Sequence, residues 1–146
     1  MNVHARGFTL IEVLLSTTIS IAIVGLSLPL LNSFVGRNDL DITTEKVVSA
    51  LRRASAAARA ADGSSAWGVE IVSGTIVLFK GSTYASRDTT VDETTLIPGN
   101  VTPSGLSDTV FARFTGTPSA TGSVTLTADS NNIRTITLNA KSMVDY

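Results

Sequence analysis

The sequence predicts an α+β protein in which a long N-terminal helix packs on a small antiparallel β-sheet or sandwich. Three observations support this class: an almost uncharged apolar run near the N-terminus, apolar residues at helical spacing after it, and alternating Val-, Ile- and Thr-rich runs beyond residue 66. They divide the 146 residues into a polar leader, 1–7, an apolar helix, 8–31, an amphipathic helix, 32–62, and a β-rich domain, 63–146.

The apolar run has the length of a membrane-spanning helix. Within residues 8–31 the only charged side chain is that of Glu12. A helix of this length extends about 36 Å, which exceeds the roughly 30 Å hydrocarbon core of a bilayer. Arg6 precedes the run, and positive charge favours the cytoplasmic side. The run therefore predicts a helix that crosses the cytoplasmic membrane once, with a cytoplasmic N-terminus. This helix is the first half of the predicted long N-terminal helix.

Gly25 and Pro29 predict a kink in the apolar helix, or a locally unwound stretch, between about Ser20 and Leu31. Proline removes one backbone donor and crowds the preceding turn. Two interpretations stay open. The kink is a tolerated irregularity of a membrane helix, or melting at this point lets the subunit lengthen during assembly.

The second half of the helix is amphipathic. Acidic residues come early in residues 32–62 and arginines come late, an order that complements the helix dipole. Gly63 is the expected helix-ending residue. Apolar and small residues recur at three- and four-residue steps and predict the face that packs on the sheet: Leu40, Thr44, Val47, Val48, Leu51, Ala54, Ala58 and Ala61.

The β-rich part begins with a hairpin signal. Residues 66–72 and 75–80 alternate around the turn Ser73-Gly74. Further strands are predicted at 94–97, 109–114, 123–128, 133–139 and 143–144, with a turn at 129–132. The aromatic side chains expected in the core are those of Trp67, Phe79, Phe111 and Phe114.

Composition excludes several kinds of chemistry. The chain has no Cys and one His, His4, which excludes disulfides, thiolate metal sites, a Ser-His-Asp triad and multi-His sites within it. Only 16% of residues are charged and the net charge is −1, which argues against a broad nucleic-acid surface. No acid–base pair can be named, so the sequence predicts a non-enzymatic protein without a cofactor or metal.

Two charged groups have alternative interpretations. The carboxylates in the loop around residues 82–93 are either exposed to solvent or ligands of a calcium ion. Their spacing matches no calcium-binding motif. The arginines belong to solvated faces or subunit contacts, or alternatively to a nucleic-acid patch: Arg52, Arg53, Arg59, Arg113 and Arg134.

The segment Gly7-Phe8-Thr9-Leu10-Ile11-Glu12-Val13 resembles the type III signal of type IV prepilins and pseudopilins. The resemblance implies that a prepilin peptidase cuts between Gly7 and Phe8 and N-methylates Phe8. Glu12 becomes the fifth residue of the processed chain, where the family has a Glu that neutralises the N-terminal amine of a neighbouring subunit. Pairing of this kind favours a correct register, because an unpaired carboxylate in a medium of low dielectric constant is costly.

The order of a helix followed by a β-rich domain gives the chain a pilin-like organisation. It resembles the H-class minor pseudopilins of type II secretion and related minor type IV pilins. The segments that carry this looser resemblance lie at 67–71, 74–79, 110–116, 122–126 and 134–138. Some relatives have a Gly-Arg near the last strand. Lys141-Ser142 occupies that region here, which weakens the transfer of DNA binding.

The two resemblances imply a structural subunit, a minor one, of a type IV pilus or a type II secretion pseudopilus. Its partners are then a prepilin peptidase, other pilin or pseudopilin subunits, the inner-membrane assembly platform and the cytoplasmic membrane, before it enters a periplasmic or cell-surface filament. Two alternatives remain open. One is a minor pilin that captures DNA or a surface, and the other is a membrane-anchored domain that never polymerises.

Overall fold

The computed structural model describes residues 7–128 and 132–146, and the side chains of residues 26–34 lie outside this description. The predicted leader therefore falls outside it except for Gly7, and most of the predicted turn at 129–132 does too. The chain forms two compact units, Met1–Val35 and Gly36–Tyr146. One α-helix, α1, extends over Leu10–Arg59 and contributes to both units.

The helix ends slightly before the predicted position. Beyond Arg59, Ala61 adopts the left-handed conformation with φ 52°, and a short 3-10 helix follows at Asp62–Ser64. Ala61 therefore provides the first left-handed residue after the helix, although Gly63 also has a positive φ. The indole Nε1 of Trp67 donates a hydrogen bond to the carbonyl of Asp62 at 3.1 Å, which ties this corner to the first strand.

Within residues 36–128 and 132–146, eight strands form two four-stranded antiparallel sheets. The first sheet has the order β3-β2-β1-β5 and the second has the order β4-β6-β7-β8. Their bounds are β1 Trp67–Val72, β2 Thr75–Lys80, β3 Asp88–Leu96, β4 Val101–Gly105, β5 Asp108–Phe111, β6 Gly122–Ala128, β7 Ile133–Leu138 and β8 Val144–Asp145.

The predicted first hairpin is confirmed. Val72 pairs with Thr75, so the turn has two residues, and Gly74 within it has φ 90°, which only glycine adopts readily. Gly68 on β1 has a different role, because a Cβ there would overlap the ring of Phe79 on β2. The absent side chain leaves room for the outer atoms of this ring next to the backbone of the neighbouring strand.

The core of the second unit combines residues from α1 and from both sheets. The predicted helix stripe is buried from Leu40 to Ala58, and only Ala61 at its end is partly exposed. Thr43 and Thr44 are buried as well, with hydroxyls that donate to the carbonyls of Asp39 and Leu40. The side chains with at most 2% exposure include Leu40, Val47, Leu51, Val69, Ile76, Phe79, Phe111, Val124, Leu126, Ile136 and Leu138.

The predicted fold class is wrong as it was stated. Within residues 7–128 and 132–146, no helix combines the length and the apolar content that crossing a membrane requires. The first 35 residues form a unit of their own, and the β residues form two separate sheets. A mixture of helix and antiparallel sheet is what remains of the prediction.

Individual strands differ from the prediction where polar residues form an edge. β4 was not predicted, because Thr-Pro-Ser-Gly is typical of a turn, yet Pro103 is tolerated since β4 lies at the edge of its sheet. β3 begins six residues before the predicted 94–97 strand, also as a polar edge strand. β5 ends at Phe111, and Phe114 is therefore 65% exposed instead of buried.

Candidate functional site

The first turn of α1 is organised by Thr9, the residue before the helix. The backbone N–H of Glu12 donates to the Thr9 carbonyl at 3.1 Å and lies 3.4 Å from the Thr9 hydroxyl oxygen. The N–H of Val13 donates to the same carbonyl at 3.2 Å. Thr9 is thus the N-cap of the helix, a role that the sequence analysis missed. The Thr-x-x-Glu spacing of a capping box signals it.

The predicted processing site lies immediately before this cap. Gly7 and Phe8 precede the helix, and the Phe8 side chain is 84% exposed. A Cβ built on Gly7 would meet no atom within 4 Å. The Gly7–Phe8 peptide bond is therefore in an exposed, non-helical segment, which is the form that a peptidase active site can accommodate.

Glu12 is exposed in the first helical turn. A carboxylate is favourable there because the N-terminal end of a helix carries partial positive charge. The ion pairs found in the described part of the chain do not include Glu12. Its main-chain N–H serves the cap, while its carboxylate is available to a group outside the chain.

The helix beyond Glu12 exposes apolar side chains on all sides. Val13, Leu15 and Ile21, which point in different directions around the helix, are 50%, 62% and 73% exposed. A helix that is apolar all round is typical of a fully buried environment instead of the surface of a globular domain. The other large exposed side chains beyond Glu12 are those of Leu14, Ile19, Ile23 and Val24, and Leu10 and Ile11 are exposed just before it.

The hydroxyl groups of this helix are satisfied within it. The side chains of Ser16, Thr17, Thr18 and Ser20 each donate to the carbonyl four residues earlier, at distances between 2.7 and 2.9 Å. Such bonds let Ser and Thr enter an apolar environment without an unsatisfied donor. The segment is therefore chemically suited to burial among other apolar groups despite its hydroxyls.

The predicted irregularity at Gly25 and Pro29 stays a prediction. Helix α1 is assigned without interruption across both positions, and a Cβ built on Gly25 would meet open space. The side chain of Pro29 is among those outside the described residues.

The structure separates the arginines for which a nucleic-acid patch was the alternative interpretation. Arg53 binds Glu93 of β3 through two hydrogen bonds of 2.6 and 2.5 Å. Arg134 of β7 pairs with Asp41 of α1 at 2.9 Å. Both arginines therefore connect α1 to a sheet and are engaged within the chain.

Of the other arginines, Arg59 and Arg113 lie near the C-terminal end of α1, whereas Arg52 is exposed two turns before it. The guanidinium of Arg59 reaches the carbonyl of Lys141 at 3.5 Å, and the N–H of Phe114 donates to the carbonyl of Ala58 at 2.9 Å. The guanidinium carbon of Arg113 lies 4.3 Å from the centre of the Phe114 ring. If the chain captures an anionic polymer, this basic end is the surface that the binding-module alternative would use.

The opposite face of the first sheet carries a polar cluster around Arg87. Its guanidinium pairs with Asp92 at 2.7 Å and stacks 3.8 Å from the centre of the Tyr84 ring. Hydrogen bonding to Asp92 raises the pKa of Arg87. Glu70 pairs across the sheet with Asp108, and burial, followed by the like charge of Asp108, raises the pKa of Glu70.

Glu70 and Glu93 should show opposite dependences of stability on pH. The folded state raises the pKa of Glu70, so the free energy of unfolding falls as pH rises above the ordinary Glu value of about 4.3. The hydrogen bond from Arg53 lowers the pKa of Glu93, so its contribution is present above that value and is lost on acidification.

We therefore expect Glu70→Gln to raise the free energy of unfolding at pH 7. Glu93→Gln should lower it, by less than about 1 kcal/mol because both partners are half exposed. Denaturant unfolding at several pH values checks this, and both differences should shrink well below about pH 4. The same sign for both variants at pH 7 would contradict the assignment.

No group of three or more His, Cys, Asp or Glu residues that could hold a metal ion occurs within residues 7–128 and 132–146. The described part of the chain thus contains two surfaces of functional interest: the exposed apolar start of α1 with its Gly7–Phe8 bond, and the basic end. In comparisons with known protein families, curated proteins and solved structures, the chain has no match.

Proposed function

We propose that the chain is a non-enzymatic structural subunit of a filament, made as a precursor and cut between Gly7 and Phe8. The observation that carries the proposal is the N-terminal part of α1, whose apolar side chains are exposed on all sides and whose hydroxyls are bonded internally. Such a surface requires apolar surroundings from outside the chain, either lipid or equivalent helices of other subunits.

Cleavage before Phe8 would keep this apolar segment in the mature protein. The new amine would be at Phe8, one residue before the Thr9 cap. The exposed carboxylate of Glu12 is available to the amine of a neighbouring Phe8. This pairing would neutralise both charges as the apolar segments come together, which supports a register-setting role for Glu12.

The proposed steps of cleavage and assembly imply specific partners. A prepilin peptidase would process the Gly7–Phe8 bond at the cytoplasmic membrane, where the apolar segment associates with lipid. The assembly platform of a type IV pilus or a type II secretion system would then transfer the chain into a filament, as a minor component among other pilin or pseudopilin subunits. The resemblance of the Gly7–Val13 segment to prepilin signals supports this assignment.

The proposal predicts the N-terminus of the mature protein. The chain isolated from its native membrane fraction should begin at Phe8 and carry about 14 Da of added mass from one methyl group. Intact-mass and N-terminal peptide mass spectrometry measure both properties. A Gly7→Leu variant is the matched control and should retain residues 1–7, because the small residue before the cut is lost.

Retention of residues 1–7 in the unaltered chain would overturn the processed-subunit proposal. It would favour a membrane-anchored domain that does not polymerise.

A further inference from the structure

The loop that follows β5, residues 112–117 and hereafter the tip loop, presents an aromatic ring and a cation to solvent. Phe114 is 65% exposed although its φ is 69°, a backbone conformation that is strained for a bulky residue. The guanidinium carbon of the exposed Arg113 lies 4.3 Å from the centre of the same ring. Backbone strain of this kind is found most often at sites that bind a ligand or a partner.

Contacts with α1 and within the loop hold the tip loop in place. The N–H of Phe114 donates to the carbonyl of Ala58 at 2.9 Å, and the N–H of Gly116 donates to the carbonyl of Ala112 at 2.8 Å. Gly116 has φ 64°, and a Cβ there would overlap the side chain of Arg59. The ring and the guanidinium are therefore presented by a fixed backbone, which lowers the conformational entropy lost on binding.

The first sheet carries the opposite charge on the face that points away from the core. Glu70 of β1 lies directly opposite Asp108 of β5, and the next residue, Ile71, points into the core, so the two carboxylates share the outer face. Like charges in directly opposite positions destabilise an antiparallel pair. Ion pairs within residues 7–128 and 132–146 involve neither carboxylate, and Arg87, the cation that acts on Glu70, is bound to Asp92.

Exposed apolar side chains flank these carboxylates. Val72, two residues beyond Glu70 on β1, is 40% exposed, and Leu96 of β3 is 70% exposed. Both are paired with Thr75 of β2, so they lie in one row across the same face of the sheet. Glu70, Asp108, Val72 and Leu96 are hereafter the acidic face. It combines negative charge with apolar surface, whereas the tip loop combines positive charge with an aromatic ring.

The tip loop and the acidic face cannot meet within one chain. Strand β5 separates them, because it begins at Asp108 and ends at Phe111, about 10 Å away at roughly 3.3 Å per residue. The tip loop continues beyond Phe111, away from Asp108. In the part of the chain that the structure describes, ion pairs do not include Arg113.

We propose that the tip loop of one copy of this chain binds the acidic face of a second copy. Arg113 then neutralises the facing carboxylates of Glu70 and Asp108, and the ring of Phe114 covers the apolar row beside them. The two surfaces differ, so the contact is heterologous. A pair of copies therefore keeps one tip loop and one acidic face free.

A second copy is the partner that the charges favour. Each surface carries the charge that the other lacks, and every copy carries both surfaces, so complementary partners are always present in equal number. The contact goes beyond the proposed filament function. It uses residues of the unit Gly36–Tyr146 and depends neither on cleavage before Phe8 nor on the apolar part of α1.

Cross-linking between two full-length variants tests the contact. The chain has no Cys, so Thr115→Cys in the tip loop and Thr94→Cys, exposed on the outer face of the first sheet, each introduce the only thiol of their copy. A bifunctional maleimide added to the membrane fraction of cells that express both variants should join position 115 to position 94. Mass spectrometry of the linked peptides identifies this heterodimer.

The matched control replaces Thr94→Cys with Thr137→Cys. Thr137 is an equally exposed threonine of a strand, but it belongs to the second sheet. Its heterodimer with the Thr115→Cys chain should be on the order of tenfold less abundant, the ratio that about 1.4 kcal/mol of binding free energy produces.

Charge reversal in the same cross-linking pair provides a second readout. Arg113→Glu in the tip-loop copy should lower the amount of the 115–94 heterodimer on the order of tenfold. Combining it with Glu70→Lys/Asp108→Lys in the other copy should restore the amount to within about threefold of the unaltered pair. Arg37→Glu is the matched control, since it makes the same charge change about 31 Å along α1 from Ala58, and it should leave the amount within about threefold.

Phe114→Gly separates binding from folding. Glycine adopts a positive φ without strain, so the thermal midpoint of this variant should equal or exceed that of the unaltered chain. The heterodimer should nevertheless fall on the order of tenfold, because the ring that covers the apolar row is lost.

The outcomes separate the contact from the proposed function. A 115–94 heterodimer that falls with Arg113→Glu and returns with the reversed acidic face supports the contact. Equal yields with positions 94 and 137, or a yield that Arg113→Glu leaves unchanged, overturn it. Binding of duplex DNA by the tip loop without any heterodimer also overturns it, since the cations then serve an anionic polymer.

Filaments of chains that begin at a methylated Phe8 but give no 115–94 heterodimer would overturn the contact and leave the filament function standing. A charge-dependent heterodimer of chains that keep residues 1–7 and form no filament would do the reverse.

Discussion

Replacing Glu12 with Gln is expected to reduce incorporation of the chain into filaments by about tenfold to a hundredfold, which corresponds to the loss of one charge-assisted hydrogen bond. Glutamine has nearly the same shape but cannot neutralise the amine of a neighbouring Phe8. The cost is then an unpaired amine among apolar helices. Quantifying the chain in purified filaments, relative to the total in the membrane fraction, measures the effect.

The substitution should leave the fold intact. The hydrogen bond from Glu12 to Thr9 uses the main-chain N–H, which Gln retains. Glu12 also belongs to the first unit, so the stability of Gly36–Tyr146 should be unchanged. Equal thermal midpoints for the two chains would show that the loss of incorporation arises in assembly and not in folding.

Thr9→Ala is the matched control, because it removes the other partner of the same turn. It takes away the hydroxyl acceptor of the cap and should destabilise the start of the helix by about 1 kcal/mol. It leaves the Glu12 carboxylate in place, so incorporation should stay within about threefold of the unaltered chain. If Glu12→Gln assembles normally, or if Thr9→Ala fails to the same degree, Glu12 does not pair across subunits.

The part of the fold that could be predicted from the sequence is the part with local signals. The turn Ser73-Gly74 between two alternating runs predicts the hairpin, and the structure has the same register around it. The helix stripe from Leu40 to Ala58 is recognisable because burial on one face leaves a three- and four-residue spacing. In these segments one face of the strand or helix is buried, and the spacing of the apolar residues identifies that face.

Edges and contacts between distant residues could not be predicted in this way. β4 contains Pro103 and turn-forming residues, and only its place at a sheet edge makes it compatible with a strand. The ion pair between Arg53 and Glu93 joins residues 40 positions apart. Nothing local distinguishes Arg53 from Arg52, so the sequence left the same two interpretations open for both, whereas the structure engages Arg53 with a sheet and leaves Arg52 exposed.

The candidate site also contains residues with a local sequence signal and residues whose role depends on the folded structure. Gly7, Phe8 and Glu12 lie within a contiguous motif, so they could be proposed as site residues from the sequence alone. Thr9 belongs to the same motif, but its capping role depends on where the helix begins, which the apolar run alone does not specify. The exposed face of α1 between Ile42 and Ala56 could not be found from the sequence, because an uncovered helix face is defined only once the positions of both sheets are known.

Phe111 and Phe114 are close in sequence but differ in burial, so their replacement should have different effects on stability. Phe111 on β5 is fully buried, whereas Phe114 lies three residues later with φ 69° and is 65% exposed. Phe111→Ala should lower the free energy of unfolding by about 3–5 kcal/mol, because it removes buried apolar surface and leaves a cavity. Phe114→Ala should change it by less than about 1 kcal/mol, since most of the ring already contacts solvent.

Trp67 provides the measurement for both variants. It is the only Trp of the chain and pairs with Phe111 across β1 and β5, so its fluorescence reports on this part of the core during denaturant unfolding. If both rings were in the core, as the sequence analysis expects, the two losses would be similar. A large loss for Phe111→Ala alone would establish that the core ends at Phe111 and that the Phe114 ring is free to contact a partner.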